Sequence, residues 1–247
     1  MSKARASERS EGDPGPILSD RAYELIKQDI LAGLFEPGEK LRLDAISSRY
    51  GIGTAPVREA LNRLSAEGWV DRRSQRGFFV SELSISDLEE LVKTRIWLET
   101  LALRESVTNG DQDWEDQVIL AYHRLARTER LQNGNSSVSV NPDWEARHHE
   151  FHLALLSACG SSWMIQFCKT MMDQAVRYRN LSVNFTLERR GDALAEHEAI
   201  ISAVLDRETD LAVELLAKHY SKTLDGLKER LKSERPSAGL VSIERGA

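Results

Sequence analysis

Five of the six histidines in this 247-residue chain lie between residues 148 and 219. His148 and His152 are four residues apart, so they project from the same face of one predicted helix. His197 and His219 fall in two later predicted helices. Three helices could therefore direct their imidazoles to one point inside a bundle, and neutral imidazole is a ligand that suits Zn, Ni, Cu or Fe.

Spacing alone leaves a second interpretation open for these histidines. An i,i+4 histidine pair also occurs on helices that bind nothing, where the side chains lie in a polar core or on the surface. His149 lies about 100° around the helix from His148, and we expect it to face solvent. Glu196, beside His197, could accept a hydrogen bond from a ligating imidazole or could be a solvated carboxylate.

The segment that carries these histidines is predicted to be entirely helical after Ser84. Apolar residues recur at helical spacing, with breaks at Asn109-Gly110 and at Cys159-Gly160. A polar loop is expected over Gly134–Val140. The six expected helices run over Ile85–Thr108, Asp111–Asn133, Pro142–Cys159, Ser161–Val183, Glu188–Asp206 and Glu208–Lys232. Their short connections favour an antiparallel bundle.

A second pattern, over residues 55–69, indicates nucleic-acid binding. Val57, Leu61 and Leu64 form an apolar stripe at helical spacing. Pro56 suits a first helical turn, where no backbone donor is required, and Gly68 suits a helix end. Arg58 and Arg63 lie off the apolar stripe, where they could reach a DNA groove or phosphates.

The neighbouring segments complete a winged helix-turn-helix. Helices are predicted over 20–31 and 43–50, and Gly51-Ile52-Gly53 forms a tight turn before the recognition helix. Strands are predicted over 69–72 and 78–80, with a hairpin at 74–77 between them. The basic residues that this wing presents to phosphates or the minor groove are Arg72, Arg73 and Arg76.

Charge restricts how DNA is bound. The chain has 33 Lys and Arg residues against 39 Asp and Glu residues. Residues 18–80 contain ten basic and nine acidic residues, whereas residues 81–247 contain 20 basic and 27 acidic residues. The DNA contacts must therefore come from a local cluster, which suits a site-specific regulator better than a chromatin-coating protein.

These patterns predict a mainly α chain. A winged helix-turn-helix domain is expected over residues 18–81 and an antiparallel bundle of about six helices over 82–232, with flexible tails at 1–17 and 233–247. No apolar run approaches the ~20 residues that span a bilayer, and the N-terminus has no secretory h-region. We therefore expect a cytoplasmic protein with reduced cysteines and no membrane partner.

The DNA-binding segment resembles the GntR family of bacterial transcription regulators. The family pattern Gly-Val-Ser-Arg-Thr-Pro-Val-Arg-Glu-Ala-Leu is matched by Gly51-Ile-Gly-Thr-Ala-Pro-Val-Arg-Glu-Ala-Leu61, followed by Leu64, Glu67-Gly68 and Trp69. The helical segment resembles the FCD effector domain of the FadR subfamily. The elements that match it are Arg95-Ile-Trp-Leu-Glu99, Phe151-His152, Glu196-His197 and His219.

The resemblance implies a homodimer that binds a pseudo-palindromic double-stranded DNA operator, usually as a repressor released by a small metabolite. In metal-bearing relatives an Asp and three His hold Zn, Ni or another divalent ion, and the ion and an Arg bind a carboxylate effector. The resemblance assigns the metal ligands here to His152, His197 and His219, and the anion partner to Arg95.

The chain departs from the family pattern at informative positions. His148 replaces the family Asp, so either it coordinates and gives an all-imidazole site, or it turns away and leaves three histidines. Thr54 and Asp44 stand where the family often has Arg, so we expect the contacts that select DNA bases to differ from the family's at one or two operator positions. Thr54, Ala55 and Gly77 are included with the arginines among the predicted DNA contacts.

Other functions remain open at this stage. A three-His site with an open position could activate water as a metalloenzyme. However, no general base stands out, and a fused DNA-binding domain argues for sensing. The ion itself could be the signal, or the histidines could line a metal-free pocket for an acyl or aromatic ligand. The favoured interpretation is a structural metal with a small carboxylate effector.

Overall fold

The computed structural model describes residues 18–133, 138–181 and 193–233, and the chain divides into two compact units between Glu82 and Leu83. The predicted N-terminal tail at 1–17, the predicted C-terminal tail at 233–247 apart from its first residue, and the predicted helix start at Glu188 lie outside the described residues.

The N-terminal unit is a three-helix domain with a small sheet. Its helices are α1 (Leu18–Leu31), α2 (Leu43–Tyr50) and α3 (Thr54–Ala66), and its strands are β1 (Lys40–Leu41), β2 (Val70–Arg73) and β3 (Gly77–Val80). The three strands are antiparallel in the order β1-β3-β2, with Val70 opposite Val80. The sequence predicted all of these elements except β1, whose two residues are too few to show a period.

Apolar burial fixes α3 in this unit. Val57, Leu61 and Leu64 are completely buried against Ile26 of α1 and Trp69 at the start of the wing. Gly51 ends α2 with a φ of 64°, a left-handed conformation that glycine adopts without strain. The second and third helices are therefore held at a short, defined turn.

The C-terminal unit is a bundle of helices, as predicted. In the described residues it contains α4 (Ile85–Asn109), α5 (Gln112–Ala126), α6 (Pro142–Leu156), α7 (Ser162–Leu181), α8 (Ala193–Leu205) and α9 (Thr209–Ser233). The long α4 packs against α7 and α9, α5 packs against α6, and α8 packs against α9.

One prediction about this bundle was wrong. The helix expected to run to Asn133 ends at Ala126, and the end of that expected helix forms a strand that pairs antiparallel with a second strand in the expected polar loop. These strands are β4 (Leu131–Asn133) and β5 (Val138–Val140). Asn141 then caps α6 by accepting a hydrogen bond from the backbone of Asp143 at 3.0 Å, and Pro142 occupies the first helical turn.

Candidate metal and effector site

Four histidines meet inside the bundle. His148 and His152 lie on α6, His197 on α8 and His219 on α9, and all four are buried. One potential ligand atom from each lies within 4.8 Å of the others. The histidines considered as possible metal ligands in the sequence therefore do lie together, and His148 belongs to the cluster.

Hydrogen bonds orient two of these rings. Nδ1 of His219 lies 2.8 Å from Oε2 of Glu196, so the ring donates there and leaves Nε2 with a free lone pair. Nδ1 of His152 lies 2.9 Å from the hydroxyl of Tyr220, which itself donates to Oε2 of Glu99. The Tyr220 oxygen therefore accepts from His152, whose Nε2 also keeps its lone pair.

The remaining two rings also direct nitrogen toward the cluster. Nε2 of His148 lies 3.1 Å from Nε2 of His152. Nε2 of His197 is buried and has no hydrogen-bond partner in the described structure. A buried imidazole nitrogen without a partner loses free energy unless something binds it, and a metal ion would satisfy it.

Burial keeps these imidazoles neutral. It lowers the pKa of His148 and His152 well below the usual value, and neighbouring positive charge lowers it further. Burial also lowers the pKa of His219, and it lowers the pKa of His197 to about 3. Neutral imidazole is the form that coordinates Zn or Ni, so the residues present fit a divalent transition metal.

A cavity of about 100 Å³ adjoins the cluster in the described part of the chain. Its walls include His148, His197 and His219. They also carry five charged side chains, four of them basic: Arg95, Arg130, Arg179, Lys222 and Glu196. The excess of positive charge favours an anionic ligand.

Acidic residues hold three of the basic side chains of the cavity in place. Arg95, predicted from the family resemblance, donates from Nε to Glu99 at 2.6 Å, and the guanidinium lies 4.2 Å from the ring centre of Tyr220. Arg179 pairs with Glu145. Lys222 pairs with Glu196, whose pKa falls to about 2 because the hydrogen bonds from His219 and Lys222 outweigh the effect of burial.

The surface of α3 carries the predicted DNA-contacting side chains. Thr54, Ala55 and Arg58 are exposed, whereas Val57 and Leu61 face the core. Asn62, which was not among the predicted contacts, lies one turn after Arg58 and is also exposed.

The arginines predicted to bind DNA have different environments. Arg72 and Arg76 are exposed on the wing, beside Gly77 with its positive φ of 97°. Arg73 lies 4.4 Å from the ring centre of Phe79 and pairs with Glu82 at 3.0 Å.

Arg63, also predicted to contact DNA, has acidic and aromatic neighbours on α1. It pairs with Asp20 and lies 4.5 Å from the ring centre of Tyr23, both on α1.

Two family patterns match the chain. The pattern described as "Bacterial regulatory proteins, gntR family" matches residues 18–80, and the pattern described as "FCD domain" matches residues 90–222. The chain belongs to the GntR family of bacterial transcription regulators.

Two named relatives support the assignment of this chain, the GntR–FCD regulator, to the GntR family. BphR of Paraburkholderia xenovorans, an uncharacterized HTH-type transcriptional regulator, is 34% identical over 89% of this chain and 91% of its own length. The HTH-type transcriptional repressor GlaR of Escherichia coli is 34% identical over 82% of this chain and 92% of its own length. Both are named HTH-type transcriptional regulators or repressors, and membership of this family of regulators answers the metalloenzyme alternative.

Solved structures support the fold of the GntR–FCD regulator. Escherichia coli McbR/YncC superimposes with a TM-score of 0.69 at 17% identity, covering 87% of this chain and 99% of that chain. A putative GntR regulator from Rhodococcus sp. RHA1 gives a TM-score of 0.67 at 21% identity, covering 85% and 97%. No described helix is long and apolar enough to span a membrane.

Several residues of the GntR–FCD site escaped the sequence analysis: Glu99, Arg130, Trp144, Arg179, Tyr220 and Lys222. Glu99 belongs to the Arg95-Ile-Trp-Leu-Glu99 element, but we did not predict from the sequence that it pairs with Arg95. His149 was expected to face solvent, yet it is about three-quarters buried and lies 3.7 Å from Asp173. Glu196 accepts from His219 on another helix and not from its neighbour His197.

Proposed function

We propose that this GntR–FCD protein is a ligand-responsive repressor that binds a pseudo-palindromic operator as a homodimer. A small carboxylate metabolite, bound beside a metal ion in the helical unit, releases it from DNA. The observation that carries this proposal is the direct contact between the buried four-histidine cluster and the basic cavity. The relative GlaR, named a transcriptional repressor, supports the direction of regulation.

The ligand set supports a transition metal, with Zn or Ni favoured. His148, His152, His197 and His219 would hold the ion through neutral nitrogens. With four neutral ligands the ion would keep its full +2 charge and offer any open coordination position to a carboxylate oxygen. This chain contributes the orientation of the ligands, through Glu196 and Tyr220, and the basic wall that receives the anion.

Arg95 is the proposed anion partner in that wall. Glu99 engages its Nε and one terminal nitrogen, which leaves N–H groups on the other terminal nitrogen for a carboxylate. Since Glu99 holds the guanidinium in place, little side-chain entropy remains to be lost when the anion binds.

The cavity also supports the carboxylate proposal over the two remaining alternatives. A direct metal sensor requires no effector cavity, yet one adjoins the histidines. A site for an acyl or aromatic ligand is expected to be mainly apolar, whereas this wall carries three arginines and a lysine.

Metal content tests the proposal. Elemental mass spectrometry of tag-free protein should give about one transition metal per chain, lost in the double variant His152→Ala/His197→Ala. The matched control is His123→Ala, because His123 is exposed on α5, away from the cluster. Metal-free wild-type protein that also fails to take up added Zn or Ni contradicts the metal part of the proposal.

Operator binding tests the regulatory part. A duplex selected from a random pool by the wild-type protein serves as the operator, and gel shifts are run with metal-loaded protein with and without carboxylates. Weaker binding in the presence of a carboxylate supports release by an effector. If loading with metal alone changes the affinity and no carboxylate does, the ion itself is the signal.

A further inference from the structure

A groove separate from the metal cavity lies between α5, α6 and α7. It is lined by residues from 117–124 of α5, from 146–157 at α6 and its C-cap, and from 165–169 of α7, and we refer to it as the α5–α6–α7 groove. Its volume is about 570 Å³, against about 100 Å³ for the cavity beside the histidines. Volumes of roughly 300–1,000 Å³ are typical of sites that bind small organic ligands.

The groove and the metal ligands lie on different faces of α6. Glu150, which lines the groove, is two residues from both His148 and His152, so it lies about 160° around the helix axis from each of them. The groove residues of α6 recur at helical spacing from Ala146 to Ser157 and form a stripe roughly 16 Å long. A ligand on this stripe would therefore not enter the metal cavity.

Most of the groove surface is apolar. Its α6 side carries Leu153 together with the small side chains of Ala146 and Ala154, which leave room above the helix. Leu120 of α5, 48% exposed, and Ile165 of α7 contribute to the two walls. An alkyl chain lying on these side chains would remove apolar surface of both partners from water, which is favourable.

Positive charge is present on both walls of the groove. Arg124 of α5 donates to one carboxylate oxygen of Glu150 at 2.8 Å, and Arg147 donates to the other oxygen at 2.7 Å. Two guanidinium groups thus share one carboxylate, and N–H groups of Arg124 remain for another acceptor. Lys169, on the α7 wall, is exposed and forms no ion pair with another residue that the structure describes. These cations favour an anionic group on the ligand.

His149 adds an unsatisfied hydrogen-bonding atom to the groove lining. Its Nε2 is buried and has no hydrogen-bond partner among the described residues. Oδ1 of Asp173, at 3.7 Å, is too far away for a hydrogen bond. A buried polar atom without a partner loses free energy unless a ligand or an ordered water satisfies it. This observation is independent of the volume and charge of the groove.

We propose that the α5–α6–α7 groove is a second ligand site, which binds an elongated alkyl carboxylate. The alkyl chain would lie along the stripe of α6, between Leu120 and Ile165, and the carboxylate would be bound by Arg124 and Lys169. The length of the stripe favours a chain over a compact molecule, and the charge favours a carboxylate over an alcohol. The site goes beyond the proposed function, because no groove residue is a proposed metal ligand or effector partner.

Isothermal titration calorimetry with octanoate tests the charged part of this site. The full chain as purified should bind octanoate saturably, below the concentration at which octanoate forms micelles, and should bind 1-octanol about 10-fold or more weakly. The double variant Arg124→Gln/Lys169→Gln should weaken octanoate binding about 10-fold or more. The matched control is Lys93→Gln/Arg104→Gln, which removes two exposed charges from α4, outside the groove.

Two neighbouring residues of α5 test the apolar part. Leu120 and Ile119 are 48% and 43% exposed, and of these two only Leu120 lines the groove. We expect Leu120→Ser to weaken octanoate binding about 10-fold, because the alkyl chain loses an apolar contact. Ile119→Ser should bind octanoate as the wild type does.

A wild type without saturable octanoate binding, or with equal affinity for 1-octanol, overturns the proposal. Control variants that weaken binding as much as the groove variants also overturn it, because octanoate would then bind elsewhere. Loss of binding in folded His152→Ala/His197→Ala protein would place octanoate in the metal cavity, with the same consequence. Far-UV circular dichroism establishes that each variant is folded. Metal content and operator release do not depend on the groove, so failure of this proposal is distinguishable from failure of the proposed function.

Discussion

The hydroxyl of Tyr220 lies 2.9 Å from Nδ1 of His152 while it donates to the buried carboxylate of Glu99. Glu99 also receives Arg95. A single buried sequence of hydrogen bonds therefore joins the proposed anion partner to a proposed metal ligand. A carboxylate effector bound by Arg95 and a metal ion bound by His152 would therefore both affect the hydrogen bonds of the Glu99 carboxylate.

Removing the Tyr220 hydroxyl should weaken metal binding without unfolding the protein. In Tyr220→Phe, His152 loses the partner that fixes its tautomer, so we expect the metal dissociation constant to rise about 10- to 100-fold. Competition with a chromogenic chelator measures the constant. The control is Tyr122→Phe, a tyrosine of the same unit that packs on Phe151. Equal affinities for Tyr220→Phe and wild type would show that this hydroxyl does not orient the ligand.

Truncating Glu99 should destabilise the helical unit strongly. The side chains of Arg95 and Glu99 are almost completely buried, so Glu99→Ala leaves an unpaired buried cation and is expected to cost about 3–5 kcal/mol of unfolding free energy. The double variant Arg95→Met/Glu99→Leu removes both charges and should be much less destabilised. Urea unfolding followed by circular dichroism gives both values. A single variant no less stable than the double variant would contradict this account of the pair.

Arg58 and Arg63 should respond differently to truncation. Arg58→Ala removes an exposed side chain of α3 and should weaken binding to the selected operator by about 1–3 kcal/mol. Arg63→Ala breaks an exposed pair with Asp20, worth at most about 1 kcal/mol of stability, and should change operator affinity less. Gel shifts at two salt concentrations measure both. Wild-type affinity in Arg58→Ala would exclude Arg58 as a primary contact.

Gly226→Ala should stabilise the protein. Gly226 lies inside α9, and a Cβ built there meets no heavy atom within 4 Å. Because glycine loses more backbone entropy than alanine in a helix, we expect a gain of about 0.5–1 kcal/mol. Thermal unfolding of metal-loaded protein measures the change, with Gly110→Ala as the opposite case. At Gly110 a Cβ would lie 2.1 Å from the Trp114 ring, so that variant should be destabilised.

Periodicity predicted much of this molecule because burial and backbone geometry act locally. The stripe of Val57, Leu61 and Leu64 and the i,i+4 pair of His148 and His152 each lie within one helix, where 3.6 residues per turn decide which side chains share a face. The family resemblance placed His197, His219 and Arg95 in one site, a relationship between helices that spacing does not contain.

The partners of these residues were not predictable in the same way. Tyr220 follows His219 directly, and adjacent helical residues point about 100° apart, so nothing in the sequence indicates that both approach His152. The end of α5 at Ala126 carries no Gly or Pro to mark it. The hairpin that follows was missed because three-residue strands are too short to show an alternating pattern.

Trp144 lies in the wall of the cavity and stacks on His148, with ring centres 4.7 Å apart and planes 13° from parallel. An indole held against a proposed metal ligand senses any change in the electronic state of that imidazole. One of the five tryptophans thus gives the protein a built-in optical reporter, whose emission can follow occupancy of the site in real time without an added label.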